Sequence, residues 1–239
     1  MKAYGNTDIG NSRNTNQDYF YVSAEPVGNL PNLFIVADGM GGHKAGDVAS
    51  REAVKIITEY IEASDKKDPV LLMENAIDKA NEGLIKEAEN NPELKGMGTT
   101  IVMATMWDDI LYIANIGDSR LYVIGQEIRQ ITRDHSFVEA MVSMGKLDRK
   151  SAKNHARKNV LTRALGVEKG TVADFFEIKN EAGNRILMCS DGLTNMVDDQ
   201  EIKSIVMGQE HIDEAVNKLI EKANKNGGAD NITSILIEP

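Results

Sequence analysis

Leu33-Phe34-Ile35-Val36-Ala37-Asp38-Gly39 is an unbroken apolar run that ends on an acid and a glycine. The pattern returns at Ile186-Leu187-Met188-Cys189-Ser190-Asp191-Gly192. A third acid, Asp230, stands just ahead of another strand-like run, Ile232-Thr233-Ser234-Ile235-Leu236-Ile237. Short apolar runs of this kind read as buried strands, so the carboxylates at their ends gather at the rim of a core. Several carboxylates at one rim repel each other unless a cation offsets them. With no His or Cys among them, the donors favour a hard cation, Mg2+ or Mn2+. One Asp-Gly alone reads as a plain turn. Two of them after buried-type strands, with a third acid at a strand start, point to a metal site.

The 239 residues are enough for one large domain with a real core, two small domains being the alternative. A net charge of -10 argues against nucleic acid as a partner and fits a soluble, cytoplasmic protein. Met1 to Asp8 has no apolar core of a secretory signal. No apolar stretch approaches the ~20 residues that span a bilayer, so no membrane association is expected. Cys189 is the sole cysteine, which excludes an intrachain disulfide and suggests a buried, inert thiol.

Strand and helix patterns alternate in blocks. Residues 18–24 and 33–37 read as strands. Residues 46–63 read as an amphipathic helix, with Val48, Ala49, Ala53, Ile56, Ile57, Tyr60 and Ile61 on one face. Residues 69–88 form a second helix with Pro69 in its first turn. Strands are expected over 99–106, 110–116, 119–124 and 128–131, with hairpin turns at 107–109 and 125–127. Short hairpins imply antiparallel pairing. Helices return at 137–144, 199–207 and 211–224, and strands at 172–178, 185–190 and 232–237. This order gives sheets covered by helices rather than a doubly wound parallel sheet.

Several familiar motifs fail. Gly39-Met40-Gly41-Gly42-His43-Lys44 has Lys44 where a dinucleotide fingerprint needs its third glycine. Gly41 and Gly46 have phosphate-loop spacing, but Asp47-Val48 follows instead of Lys-Ser/Thr. The four histidines and one cysteine give no zinc spacing. Other segments hold. Arg13, in Asp8-Ile9-Gly10-Asn11-Ser12-Arg13-Asn14-Thr15-Asn16-Gln17-Asp18, offers a planar fork for a phosphate, or is a surface residue. Asp18 opens a strand and is placed to join the acids. Gly117-Asp118-Ser119-Arg120 joins two strands, and locally reads as an ordinary tight turn.

Taken in order, the segments resemble the metal-dependent type 2C serine/threonine protein phosphatases, in particular the bacterial branch. They are the Asp8 to Asp18 block, Val36-Ala37-Asp38-Gly39-Met40-Gly41-Gly42-His43, Gly98-Thr99-Thr100, Ile116-Gly117-Asp118-Ser119-Arg120, Thr132-Arg133-Asp134-His135-Ser136, Asn159 to Gly166, Cys189-Ser190-Asp191-Gly192-Leu193 and Asp230-Asn231-Ile232-Thr233. None is specific alone; all eight in family order span the chain.

The resemblance implies an α+β fold, a four-layer α-β-β-α sandwich of two packed antiparallel sheets flanked by helix pairs. It implies one catalytic domain over 1–239 with a flap subdomain at about 134–160. Two Mn2+ or Mg2+ ions are implied: Asp38 bridging both, the Gly39 carbonyl on one, Asp191 and Asp230 on the other. Asp118 matches the position of a third, weaker metal site in bacterial relatives. Arg13 matches a phosphate-gripping arginine, and Asp18 an acid that orients metal-bound water. Gln17 and Met40 replace a glutamate and a histidine of eukaryotic relatives, and the histidine is the one proposed there as general acid. His43 is the nearby substitute; its bland reading is a residue capping or packing near the following helix.

The expected chemistry is hydrolysis of phosphoserine and phosphothreonine in proteins by metal-activated water, with no covalent phosphoenzyme. Expected partners are phosphorylated proteins, including a cognate serine/threonine kinase, and the chain is expected to be a monomer. Lys146, Arg149, Lys150, Lys153, Arg157 and Lys158 face only Asp148 in the flap region. They form either an electrostatic lure for phosphopeptides or a solvated face. Competing functions are a phosphoprotein-binding pseudophosphatase and a small-molecule phosphomonoesterase.

Overall fold

The computed structural model describes residues 1–42, 45–153 and 155–239. One sheet runs in the order β1 (Lys2–Asp8), β11 (Ile232–Glu238), β10 (Arg185–Cys189), β7 (Arg120–Ile124) and β8 (Ile128–Gln130). The other runs β2 (Asp18–Ser23), β3 (Leu33–Met40), β5 (Ile101–Trp107), β6 (Ile110–Ile116) and β9 (Asp174–Lys179), with the short β4 (Gly98–Thr99) on the end of β3. These pairings are all antiparallel.

The two sheets face each other, and each is covered outside by a helix pair. Along β3, Leu33, Ile35 and Ala37 pack toward α1 (Ala45–Ala63) and α2 (Pro69–Asn90), while Phe34 and Val36 meet the opposite sheet. Along β10, Leu187 and Cys189 pack toward α6 (Asp199–Met207) and α7 (Ile212–Lys225), while Ile186 and Met188 face inward. Both faces of each central strand are therefore dry. That is why these antiparallel strands read as unbroken apolar runs rather than alternating ones. Local signals set the helix starts: Asp68 accepts the Leu71 N–H at 2.8 Å ahead of Pro69, and Asp198 caps α6 through the Glu201 N–H at 3.0 Å.

The structure departs from the sequence reading in a few places. β1 was not anticipated, because Gly5-Asn6-Thr7 lacks a strand-like apolar pattern; its order comes from full pairing with β11. The short helices α3 (Phe137–Ser143), α4 (Arg149–Lys153) and α5 (Asp191–Thr194) include two the pattern does not show, α4 and α5, each under two turns. The expected 99–106 strand breaks at Thr100, whose N–H turns to the Asp38 carbonyl at 2.9 Å. The expected 172–178 strand starts later, at Asp174. Gly117–Ser119 is not a turn between neighbouring strands: it carries the chain from β6 in one sheet to β7 in the other.

The antiparallel order brings the ends of β1, β3, β6 and β10 and the starts of β2, β7 and β11 to one rim. Neither Asp-Gly glycine at that rim has a left-handed φ. Close backbone approach explains them instead. A Cβ on Gly39 would lie 2.0 Å from the carbonyl oxygen of Gly46, and one on Gly192 would lie 1.9 Å from that of Asn231. Gly39→Ala and Gly192→Ala should each cost about 1–3 kcal/mol by forcing these backbones apart. Thermal unfolding should show a drop of roughly 3–10 °C for a chain of this size. A shift within 1 °C would mean the backbones relax freely.

Candidate metal centre

Asp18 opens β2 directly opposite Asp38 on β3. Asp18 is buried. Its Oδ2 accepts hydrogen bonds from Ser190 Oγ and Thr233 Oγ1, both at 2.7 Å, and its Oδ1 has no partner. The Asp38 backbone is fully engaged: its N–H donates to Thr100 Oγ1 at 3.0 Å, and its carbonyl accepts from Thr99 Oγ1 at 3.0 Å. Its carboxylate is left to face the rim. Asp191 starts α5, accepts Asn195 Nδ2 on Oδ2 at 2.9 Å, and has a buried, unpartnered Oδ1. Asp230 accepts its neighbour's N–H on Oδ1 at 2.9 Å and Arg13 Nη2 on Oδ2 at 2.8 Å. Asp118 sits in the crossover after β6.

These acids feel one another. Burial, then the charges of Asp18, Asp191, Asp118 and Asp230, push the Asp38 carboxyl well above the ordinary carboxylate range. Asp118 is likewise pushed well up, by burial and then by Asp191. Asp18 rises to about 7 and Asp191 to about 6, burial again leading in both. The cation shared among them is the half-exposed Arg13, which senses Asp230, Asp38 and Asp191. Arg120 stands close but is committed elsewhere: its guanidinium grips Asp134 at 2.7 and 2.9 Å and donates to Tyr122 at 3.0 Å.

The residues fit divalent ions. Two buried carboxylate oxygens lack partners, the acids strain against ionising together, and all donors are oxygen. Among the described residues, no three His, Cys, Asp or Glu side chains close around one point tightly enough to cage an ion alone. An ion here would take a pair of carboxylates and complete its shell with a carbonyl and water, as Mg2+ and Mn2+ commonly do.

Of the residues singled out by sequence, Arg13, Asp18, Asp38, Gly39, Asp118, Asp191 and Asp230 share this rim. His43 lies outside the described residues. Gln17 is turned to the start of α1, where its side-chain amide abuts Gly46. Met40 turns toward Gly98 and Val167 rather than to the acids. Cys189 is buried beneath the site, and burial pushes its thiol up to about 12, so it is inert. Three supporting residues were missed. Ser190 and Thr233 hold Asp18, and Asn231 ties the Asp8–Asp18 loop down by donating to the carbonyls of Ile9 at 2.9 Å and Thr15 at 3.0 Å. Their signal was a short polar side chain inside or beside an otherwise apolar strand.

Comparison with known proteins finds relatives along the whole chain. Residues 9–236 match the family model described as protein phosphatase 2C. The chain is 41% identical over 247 aligned positions to the serine/threonine phosphatase stp of Listeria monocytogenes, covering 100% of this chain and 96% of that one. The crystal structure of the serine/threonine phosphatase Stp1 from Staphylococcus aureus superposes with a TM-score of 0.93 at 36% identity, over 100% of this chain and 95% of that one. The catalytic domain of the serine/threonine protein phosphatase PstP, solved in complex with two manganese ions, superposes with a TM-score of 0.86 at 31% identity, over 98% and 96% of the two chains.

Metal-free protein should lose stability as pH rises. A carboxyl whose folded pKa lies above its ordinary 3.8 holds its proton more tightly when folded, so its contribution is full below about 4. That contribution disappears as pH climbs through about 6 for Asp191 and about 7 for Asp18. In EDTA, the melting temperature should therefore fall between pH 4.5 and 7.5. Mn2+ at 100 times its dissociation constant should restore about 2.7 kcal/mol at the upper pH. Calorimetric melting with and without Mn2+ checks both signs; a metal-free melting temperature that rises over this window contradicts the assignment.

Proposed function

The chain belongs to the protein phosphatase 2C family and is a metal-dependent serine/threonine protein phosphatase, and on that premise we propose which of its residues do the work. Asp38, with the Gly39 carbonyl, and Asp191 with Asp230 would hold two Mn2+ or Mg2+ ions, and Asp118 would contribute to a third. When bound, such ions lower the pKa of water to yield a nucleophile near neutral pH and offset charge on the phosphoryl group. The observation that carries this reading is the convergence of five carboxylates, two of them with unpartnered buried oxygens, on one rim.

Asp18 has Oδ2 fixed by two hydroxyl donors, so its free Oδ1 is aimed and can accept a hydrogen bond from the attacking water. Arg13 pairs with Asp230 through Nη2 only and is half exposed, which leaves its other N–H groups for the equatorial oxygens of a phosphate. Among the described residues, the one thiol, Cys189, is buried and protonated, so it is not placed to form a covalent intermediate.

The chain acts as one catalytic domain over 1–239, and residues 134–160, which carry α3 and α4, form its flap. A cleft of about 220 Å³ runs between this segment and the acids, lined by Asp118 and Asp191 on one side and Arg149 and Lys158 on the other. The flap cations are not equally available. Arg149 pairs with Glu139 at 3.1 Å, and Arg157 stacks over Phe137. Lys146 and Lys150 are exposed, and neither they nor Lys158, which donates to Asn195 Oδ1 at 3.4 Å, form an ion pair among the described residues, so recruitment of phosphorylated protein falls to these three lysines. We further propose a cytoplasmic monomer that opposes a serine/threonine kinase. No helix among the described residues is long and apolar enough to cross a membrane.

Phosphate release from a phosphothreonine peptide should need Mn2+ or Mg2+ and stop in EDTA. Asp38→Asn and Asp191→Ala should each lower kcat by at least about 10³-fold while the protein stays folded. Turnover near wild type in added Mn2+ for either variant would remove that residue from the centre. A sugar phosphate turned over faster than the peptide would instead favour a small-molecule phosphomonoesterase. Lys150→Glu should lower kcat/KM for the phosphopeptide more than for an aryl phosphate, by roughly two- to tenfold at low salt. Equal losses on both substrates would return the flap charges to a plain solvated face.

A further inference from the structure

One buried histidine has no part in the chemistry above. His135 lies between β8 and α3 and is 4% exposed. Its backbone N–H donates to the Gly117 carbonyl at 2.8 Å, and the Gly117 N–H donates back to its Nδ1 at 3.1 Å. The two residues are thus strapped by a reciprocal pair. Because Nδ1 accepts, the proton of the neutral ring sits on Nε2. Burial lowers the imidazole pKa, consistent with a neutral ring. Nε2 lies 3.2 Å from Asp174 Oδ2, a contact off the straight line of a strong hydrogen bond. Asp174 Oδ1 pairs with Arg163 Nη1 at 2.6 Å, and the same nitrogen donates to the Val172 carbonyl at 3.1 Å. Asn115 Nδ2 closes the loop from the β6 side by donating to the Arg133 carbonyl at 3.1 Å.

We propose that His135 is a positioning residue of the metal centre: through the Gly117 N–H it fixes the crossover that carries Asp118, so that this carboxylate faces Asp191. Asp174 and Arg163 fix the ring, tying β9 and the 161–166 segment to the same loop. The inference rests on reading Asp118 as a metal-binding carboxylate. A neutral imidazole suits the task because it offers one acceptor and one donor on a rigid ring, and here Gly117 takes the first and Asp174 faces the second. Residues that orient a metal ligand from behind typically change metal affinity 10–100-fold when lost.

Calorimetric titration of Mn2+ without substrate tests this. His135→Asn keeps an amide oxygen near the Nδ1 position but loses reach to Asp174; His135→Gln does the reverse. The Asn variant should bind its weakest Mn2+ within about threefold of wild type, and the Gln variant about tenfold more weakly. Wild-type affinity in the Gln variant, or equal weakening of both, overturns the proposal, since a merely structural role would not distinguish them. Asp118→Asn separates the two layers. If it leaves the titration unchanged, the reading of Asp118 fails; if it weakens the site while His135→Gln does not, the role of His135 alone fails. The unsubstituted chain supplies a check that no folding defect can blur. In a Mg2+ titration of protein labelled with ¹⁵N histidine, the His135 Nδ1 resonance should move as the weakest site fills, and a stationary resonance overturns the proposal.

Discussion

Carboxylates held together by strand ends that cannot separate are the constraint on which the rest of this molecule depends. Left to themselves, Asp18, Asp38, Asp118, Asp191 and Asp230 would spread apart or stay protonated, and burial with mutual repulsion pushes four of them upward. The fold does not let them spread. Asp38 is fixed because Gly39 presses on the start of α1, and Asp191 because Gly192 presses on the residue after Asp230. The driving force comes from elsewhere. Each central strand buries both faces, and that apolar burial offsets the unfavourable charge at the rim.

The rim is also where the two sheets are joined by polar contacts instead of apolar packing. Asp18 belongs to one sheet, while the hydroxyls that hold it, Ser190 and Thr233, belong to the ends of strands in the other. Ser190 Oγ also accepts the Thr233 N–H at 3.0 Å, so the three form a closed set. A displacement of one sheet against the other would break these bonds and move Asp18 relative to Asp191 together. Core packing between the sheets is thereby converted into precision at the acids, which is what placement on strands offers over placement on free loops.

Much of this was legible in the sequence because one physical feature leaves a strong trace. A strand dry on both faces shows as a run, and an acid at the end of a run must lie at the edge of the core. Asp38, Asp191 and the strand after Asp230 were read on that basis. β1 was not, because Gly5, Asn6 and Thr7 carry no apolar signal, and only the free edge of β11 makes them a strand. Asp118 reads locally as part of a turn; nothing in Gly117-Asp118-Ser119 announces that the chain changes sheets there. The hydroxyls of Ser190 and Thr233 were hidden for a related reason. A strand pattern identifies which positions are buried, but the choice of a polar side chain at such a position has meaning only once its partner across the sheets is known.

The charge of the chain narrows how a phosphorylated protein can be drawn in. At -10 overall, the molecule repels an anionic substrate at long range. The flap cations oppose this less than their number implies. Arg149 is engaged by Glu139, which also holds Arg133 just ahead of that segment, and Arg120 in β7 is engaged by Asp134. In physiological salt, interactions between exposed charges fade beyond about 8 Å. On the proposed reading of residues 134–160 as a flap, Lys146, Lys150 and Lys158 therefore act only on a substrate already at the cleft. Attraction strong enough to hold a phosphate must come from within the rim itself, where five carboxylates by themselves would repel it; Arg13 senses three of them, and Arg120, which also acts on Asp118 and Asp191, is held by Asp134. On the proposed assignment, the same acids that make the empty centre repulsive make substrate binding depend on divalent cations, so that affinity for phosphate and occupancy of the metal centre rise and fall together.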